Sequence, residues 1–193
     1  MIVQALQTGV AVDIDGTIAS TVNALTEILQ SQGVGPQHFR PNTDPECPSV
    51  FIARNPHLQT TLDQMVRTIF QREEVYQAAT PIPGALEGVV ALQQANFFRG
   101  YVTRRPSHLQ KVTLDWLQSH GFPAGDVLHV KDPSKSTLMN QLNARCIIED
   151  SFHEVWSLFT DHHGLLIDTD YNRLPLPNNV TRCNWQAIAR AVG

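Results

Sequence analysis

The chain has 193 residues, 42% hydrophobic and 17% charged, a balance that suits one globular domain with an insert and excludes a disordered tail. At this length folding buries roughly 70% of the unfolded chain's surface, so a core forms without disulfide or metal staples. With 14 basic and 18 acidic residues the net charge is −4, and no run of Lys/Arg offers a nucleic-acid polymer a sequence-independent grip.

The N-terminal stretch MIVQALQTGV has neither a charged n-region nor a cleavage site, and every apolar run is far short of the ~20 residues that span a bilayer. The expectation is a soluble, cytoplasmic protein without a membrane partner. GVAVDID (9–15) is the first strand pattern, followed by a helical pattern over 20–31 and a Pro-rich loop from Gly35 to Pro56. Asn55-Pro56 then gives a helix-start signal, with Leu58, Leu62, Met65, Val66, Ile69 and Phe70 at helical spacing behind it. Residues 19–81 thus read as an all-helical insert without a convincing strand. Four more strand patterns follow: FRGYVT (98–103), DVLHV (126–130), RCIIED (145–150) and GLLID (164–168). Between the first two, residues 106–120 place Leu109, Val112, Trp116 and Leu117 on one stripe before the stop at Gly121. Shorter helical patterns pair Met139 with Leu142, Val155 with Leu158 and Phe159, and Trp185 with Ile188.

This alternation predicts an α/β fold, a three-layer Rossmann-like, mostly parallel sheet with helices on both faces. The core would be 1–18 and 82–193, and the small helical cap inserted after the first strand would be 19–81. Leaving the top of strand one, such a cap is placed to cover a site at the sheet's carboxyl edge, where ligands bind in these folds. Cys47, Cys146 and Cys183 form no metal-ligand spacing, and an odd count argues against a secreted disulfide framework. Cys146 reads as a core residue.

Asp13 and Asp15 stand at the carboxyl end of the first apolar run, two apart, so an extended chain sends both side chains to one face; Gly16 then allows a sharp turn before Thr17. A hairpin around Asp-Gly would need a second strand at once, whereas 18–31 reads as helix. DIDGT after a buried first strand resembles the first motif of the haloacid dehalogenase superfamily. Thr103 in YVTRRP resembles its second motif, Lys131 or Lys135 its third, and Glu149-Asp150 in IIEDSFHEV its acidic fourth. PIPGALEGVVAL, TRRPSHLQKVTLDWLQSHGFP, IEDS and the late Tyr171-Asn172-Arg173 further resemble bacterial nucleotidases grouped with 5'(3')-deoxyribonucleotidases, although no derivable chemistry requires that last tripeptide.

The resemblance implies a phosphatase with Asp13 as the nucleophile that forms an aspartyl phosphate, and Asp15 as the acid and base. An acid at the second position favours a phosphatase over a dehalogenase, because halide leaves without a proton. A dianionic phosphate beside ionised Asp13 and Asp150 carries about four negative charges, so cations are needed: one Mg²⁺ and one lysine would cancel three. Asp13, the backbone carbonyl of Asp15, Asp150 and waters make a reasonable octahedral oxygen set, with Glu149 as a ligand through water and Asp150 ranked first of the two acids. For the lysine, Lys131 follows a strand, while Lys135 sits in the first turn of a helix opened by Asp132-Pro133. A cation there opposes the helix dipole unless an anion lies nearby, which favours Lys135 over Lys131. Thr103 fits a phosphate contact, and Arg105 either adds a second one or packs. His129, His153 and His162-His163 lack zinc spacing and read as solvated or helix-capping. Phe39, Phe51 and Phe70, with Arg40 and Arg54, read as cap packing before base stacking. The expected substrate is a small phosphate monoester, with nucleoside monophosphates favoured. A sugar phosphate or phosphoglycolate is the alternative, as is a phosphate-ligand binding protein without turnover.

Overall fold

The computed structural model describes residues 2–31, 64, 68–131, 134–169 and 172–193. Its centre is the apolar run that begins after Gly9: β1 (Val10–Val12) is fully buried, as a strand with neighbours on both edges and helices on both faces must be. Five further strands join it. They are β4 (Phe98–Thr103), β5 (Val127–His129), β6 (Cys146–Glu149), β7 (His163–Ile167) and β8 (Val180–Cys183). The order is β5-β4-β1-β6-β7-β8 and every pairing is parallel, the expected α/β architecture. Chain order steps outward from β1 through β4 to β5 and then returns to β6 on the other side of β1. Strand β1 therefore stands at the reversal, where the crevice outside the carboxyl ends is the natural ligand site.

β8 was not among the expected strands. Its sequence VTRC has only its two ends buried and carries Arg182, so an edge strand hides behind a polar pattern. The other unexpected strands are β2 (Ala19–Ser20) and β3 (Thr80–Pro81), an antiparallel pair joining the two ends of the 19–81 segment. Two residues per strand are too few for any periodicity. The cap aromatics Phe39 and Phe51, with Arg40, Arg54 and Cys47, lie outside the described residues.

Helix α1 (Ile2–Leu6) precedes β1, and α2 (Thr21–Ser31) leaves β2 where the helical pattern places it. The insert returns through α3 (Glu73–Gln77), which packs against α2 and against α5 (Gln110–Ser119). The apolar stripe of the second strand's crossover is buried as expected, at Leu109, Val112, Trp116 and Leu117. Trp116 Nε1 also donates to the Ala79 carbonyl at 2.8 Å, tying the end of the insert to the core. On the same face, α4 (Ala85–Gln94) meets α8 (Trp185–Val192) through Gly88: a Cβ there would lie 2.3 Å from the Trp185 ring. The helices α6 (Ser136–Gln141) and α7 (Phe152–Trp156) cover the opposite face, through Met139 and Val155. Phe159, expected in the core with Val155, lies beyond the end of α7 and is 47% exposed.

Candidate active site

Extended structure stops at Val12, and the peptide N–H of Asp13 donates to the Ile148 carbonyl at 2.9 Å, the last rung between β1 and β6. The next residues form a tight turn in which Ile18 and Ala19 both donate to the Ile14 carbonyl and Gly16 donates to Ala19. Gly16 is required twice over. Its φ of +79° is the left-handed region, and a Cβ would lie 2.1 Å from Asp150 Oδ2. Trp185 Nε1 braces the turn from α8 by donating to the Thr17 carbonyl at 2.9 Å.

This turn separates the two aspartates. Asp13 is buried, and Lys135 Nζ donates to its Oδ1. The same ammonium reaches Glu149 Oε2 at 3.1 Å. Asp15 remains 28% exposed and faces Arg105, whose Nε and Nη2 engage both carboxylate oxygens at 2.8–3.1 Å. The Arg105 side chain is fully buried, with Nη1 on the Thr113 hydroxyl at 3.3 Å and its guanidinium 4.5 Å from the centre of the Tyr76 ring. A planar cation held by a bidentate partner and an aromatic face has little freedom to reorient.

Asp13, Glu149 and Asp150 bring one carboxylate oxygen each to within 4.8 Å of one another, and all three residues are buried. Thr17 Oγ1 lies between two of them, 3.2 Å from Asp13 Oδ2 and 2.9 Å from Asp150 Oδ1. Against three acids stands Lys135 as the contacting cation. Burial pushes the Asp13 carboxyl above its ordinary value, Lys135 pulls it back and Asp15 adds to the rise. Burial raises Glu149 further, with Asp13 next and Lys135 opposing. For Lys135 burial works against the charge, yet the surrounding carboxylates outweigh it and hold the ammonium above its ordinary range. A cluster that raises its own acids in this way lacks positive charge. Its donors are hard oxygens, close enough to share one ion, so the chemistry fits a divalent cation of the Mg²⁺ type.

Of the two candidate lysines, Lys135 is in this cluster and Lys131 is exposed beyond β5. Lys135 is the residue just before α6, in helical conformation; Asp132 and Pro133 lie outside the described residues. Thr103, at the end of β4, is fully buried, and its hydroxyl accepts the Arg105 N–H at 3.2 Å. Arg105 therefore has specific partners in Asp15 and Thr113.

His162 and His129 differ from the solvated reading. His162 is fully buried between Asp161 and the Asn140 side chain, and His129 Nδ1 meets the Arg105 carbonyl at 2.8 Å while its Nε2 is buried without a partner. His162 precedes β7 and His129 ends β5, and each meets a partner from another segment, which sequence spacing cannot show. Among the described residues the acidic triad is the only group with metal-ligand proximity.

Three residues near the site carried little signal in the sequence. Thr17 was legible only as part of DIDGT. Glu154 pairs with Arg104 and adds negative charge felt by Asp13, Glu149 and Lys135, but sits in an ordinary helical pattern. Asn172, fully buried, donates to the Asp150 carbonyl at 2.8 Å and the Ile167 carbonyl at 2.7 Å.

No protein-family model matches the chain. A Clostridium acetobutylicum protein named as a nucleotidase is 33% identical over 98 residues, covering 50% of each chain. A Halalkalibacterium halodurans protein carrying the name "Putative nucleotidase" is 30% identical over 104 residues, covering 47% of this chain and 48% of that one. The chain thus spans about half the length of these curated relatives. Among solved structures, a haloacid dehalogenase-like family hydrolase from Streptococcus pneumoniae superposes with a TM-score of 0.62 at 15% identity, over 95% of this chain and 97% of that one. A structure titled as a "putative phosphoglycolate phosphatase" from Lactobacillus delbrueckii subsp. bulgaricus gives 0.65 at 14% identity, over 96% and 98%. The chain has the haloacid dehalogenase-like fold.

Proposed function

We propose that this chain is a Mg²⁺-dependent phosphatase that hydrolyses a small phosphate monoester through an aspartyl-phosphate intermediate. The observation that carries the reading is the division of labour at the carboxyl end of β1. Asp13 lies buried beside Lys135, Glu149 and Asp150, and Asp15 lies two residues on, partly open to solvent and gripped by Arg105. In the first step an Asp13 oxygen attacks phosphorus, the bond to the leaving oxygen breaks, and Asp15 supplies the proton that oxygen needs. In the second, water attacks the same phosphorus, Asp15 takes its proton, and Asp13 is released with inorganic phosphate. Lys135 and Thr103 are the proposed phosphate contacts. Arg105 holds Asp15, the group that would move the proton. Asp13 and Asp150 are the proposed metal ligands with the Asp15 backbone carbonyl, and Glu149 an outer one; when bound, Mg²⁺ supplies charge neutralisation for the phosphoryl oxygens.

A nucleoside monophosphate is the favoured substrate class. Support comes from the sequence relatives named as nucleotidases and from an acidic chain that disfavours a polynucleotide. Residues 19–81 are the proposed cap, where discrimination between leaving groups would reside. Hydrolysis of a panel of phosphate monoesters with and without Mg²⁺ tests both parts. Nucleoside monophosphates should lead the panel and chelation should silence it. Efficient turnover of a phosphorylated short acid or sugar with none of any nucleotide would move the substrate, and turnover indifferent to chelation would remove the metal.

A further inference from the structure

Asp150 is held from two sides, and only one of them belongs to the site described above. Its carboxylate packs against Gly16 and accepts the Thr17 hydroxyl at 2.9 Å. Its backbone carbonyl accepts Asn172 Nδ2, which lies in the connection between β7 and β8 and is fully buried. The same amide nitrogen donates to the carbonyl of Ile167, the last residue of β7. Both amide hydrogens are thereby committed, and they join the loop after β6 to the end of the neighbouring strand.

The amide is itself oriented. Arg182 Nη1 donates to Asn172 Oδ1, and Arg182 Nη2 donates to the Asn172 carbonyl at 2.7 Å and to the Leu174 carbonyl at 3.2 Å. A flipped amide would set its NH₂ against the guanidinium and leave two buried carbonyls without donors, so Arg182 fixes one polarity. Arg182 is kept in register by β8 and by an ion pair with Asp168 at 3.6 Å.

The geometry points to Asn172 as a positioning residue, clamped by Arg182, that fixes the Asp150 peptide so that its carboxylate stays within the acidic triad. This inference rests on the reading of that triad as a divalent-cation site. Its consequence is specific: loosening the Asp150 peptide weakens the cation, because the carboxylate can no longer be held where Asp13 and Glu149 converge. Once the cation is bound, the phosphate contacts are unaffected.

Isothermal titration of metal-free protein with Mg²⁺, without substrate, tests it. Asn172→Ala should weaken the Mg²⁺ dissociation constant about 10-fold or more. Arg182→Lys keeps the charge but not the fork, and should weaken it less in the same direction. At saturating Mg²⁺, Asn172→Ala should regain most of the wild-type kcat on p-nitrophenyl phosphate with KM unchanged, a recovery that general damage to the fold does not give. Asp150→Asn separates the two layers. If it loses Mg²⁺ while Asn172→Ala binds as wild type does, the clamp is refuted and the cation site stands. If Asp150→Asn itself binds Mg²⁺ like wild type, the reading of the triad falls and the inference with it. Should Asn172→Ala not fold, folded Arg182→Lys and Arg182→Gln proteins with wild-type Mg²⁺ affinity would overturn the proposal.

Discussion

Asp13 and Asp15 are the same residue type two positions apart, yet the fold gives them opposite surroundings. Asp13 is buried against Lys135 in a crowded acidic cluster, while Asp15 keeps 28% of its side chain exposed and faces a fully buried guanidinium. A nucleophile must be dehydrated, fixed and close to positive charge. A group that gives and takes protons must reach the leaving oxygen and then water. The turn through Gly16 produces that difference: it ends the extended chain after Val12 and sends the second carboxylate toward α5 and the end of the insert. Lys135 restrains the first as an ammonium point charge, and Arg105 restrains the second as a planar fork.

The largest loss is expected at Asp13. Asp13→Asn should lower phosphatase turnover by about 10⁴-fold or more with the fold intact, as read by initial rates and circular dichroism, because the amide lacks the nucleophilic charge. Asp15→Asn should act selectively, slowing an alkyl phosphate by about 10²-fold more than p-nitrophenyl phosphate, since only the poor leaving group needs the proton. Equal losses, with chemistry limiting both rates, would remove Asp15 from the acid role. Arg105→Lys preserves charge and loses the bidentate grip, so a loss of about 10-fold in kcat with the same leaving-group bias is expected. A change in KM alone would place Arg105 on the substrate instead.

A smaller effect is expected from pH. Burial, with neighbouring acids adding to it, raises Asp13 and Glu149, so in metal-free protein their protonated forms favour folding; that contribution is complete below the ordinary carboxylate range and is lost as pH rises through the raised values. A bound divalent cation favours the ionised carboxylates and displaces those protons. The rise in melting temperature on adding Mg²⁺ should therefore be larger at pH 8 than at pH 5.5, read by differential scanning fluorimetry. An equal rise at both would argue that these acids do not hold the ion.

The parallel core was legible because the buried strand VAV is uniformly apolar and CIIE is apolar up to its closing glutamate, and the crossover helix because its stripe runs through Leu109, Val112, Trp116 and Leu117. β8 was not, since an edge strand mixes buried ends with Arg182, and β2 and β3 are too short to show a pattern. Within the site, Asp13, Asp15, Glu149, Asp150 and Lys135 carried local signals: paired acids after an apolar run, or a cation where a helix dipole disfavours one. Their convergence is tertiary. The Arg105 grip on Asp15 spans distant segments, and the Asn172 clamp depends on strand adjacency across β6, β7 and β8, neither of which follows from any local spacing. The buried His162 escaped for the same reason, its partner Asn140 standing on a different element.

The most direct test of Asp13 as the nucleophile is to trap what it would form. Asp15→Asn protein mixed with phosphate-labelled p-nitrophenyl phosphate and Mg²⁺, quenched in acid and digested, should carry label on the peptide containing Asp13. Hydroxylamine should release it as an acyl phosphate, and Asp13→Asn protein should carry none. Label on a serine, threonine or histidine, or product formed by Asp15→Asn protein through turnover that never passes through a labelled chain, would contradict the account.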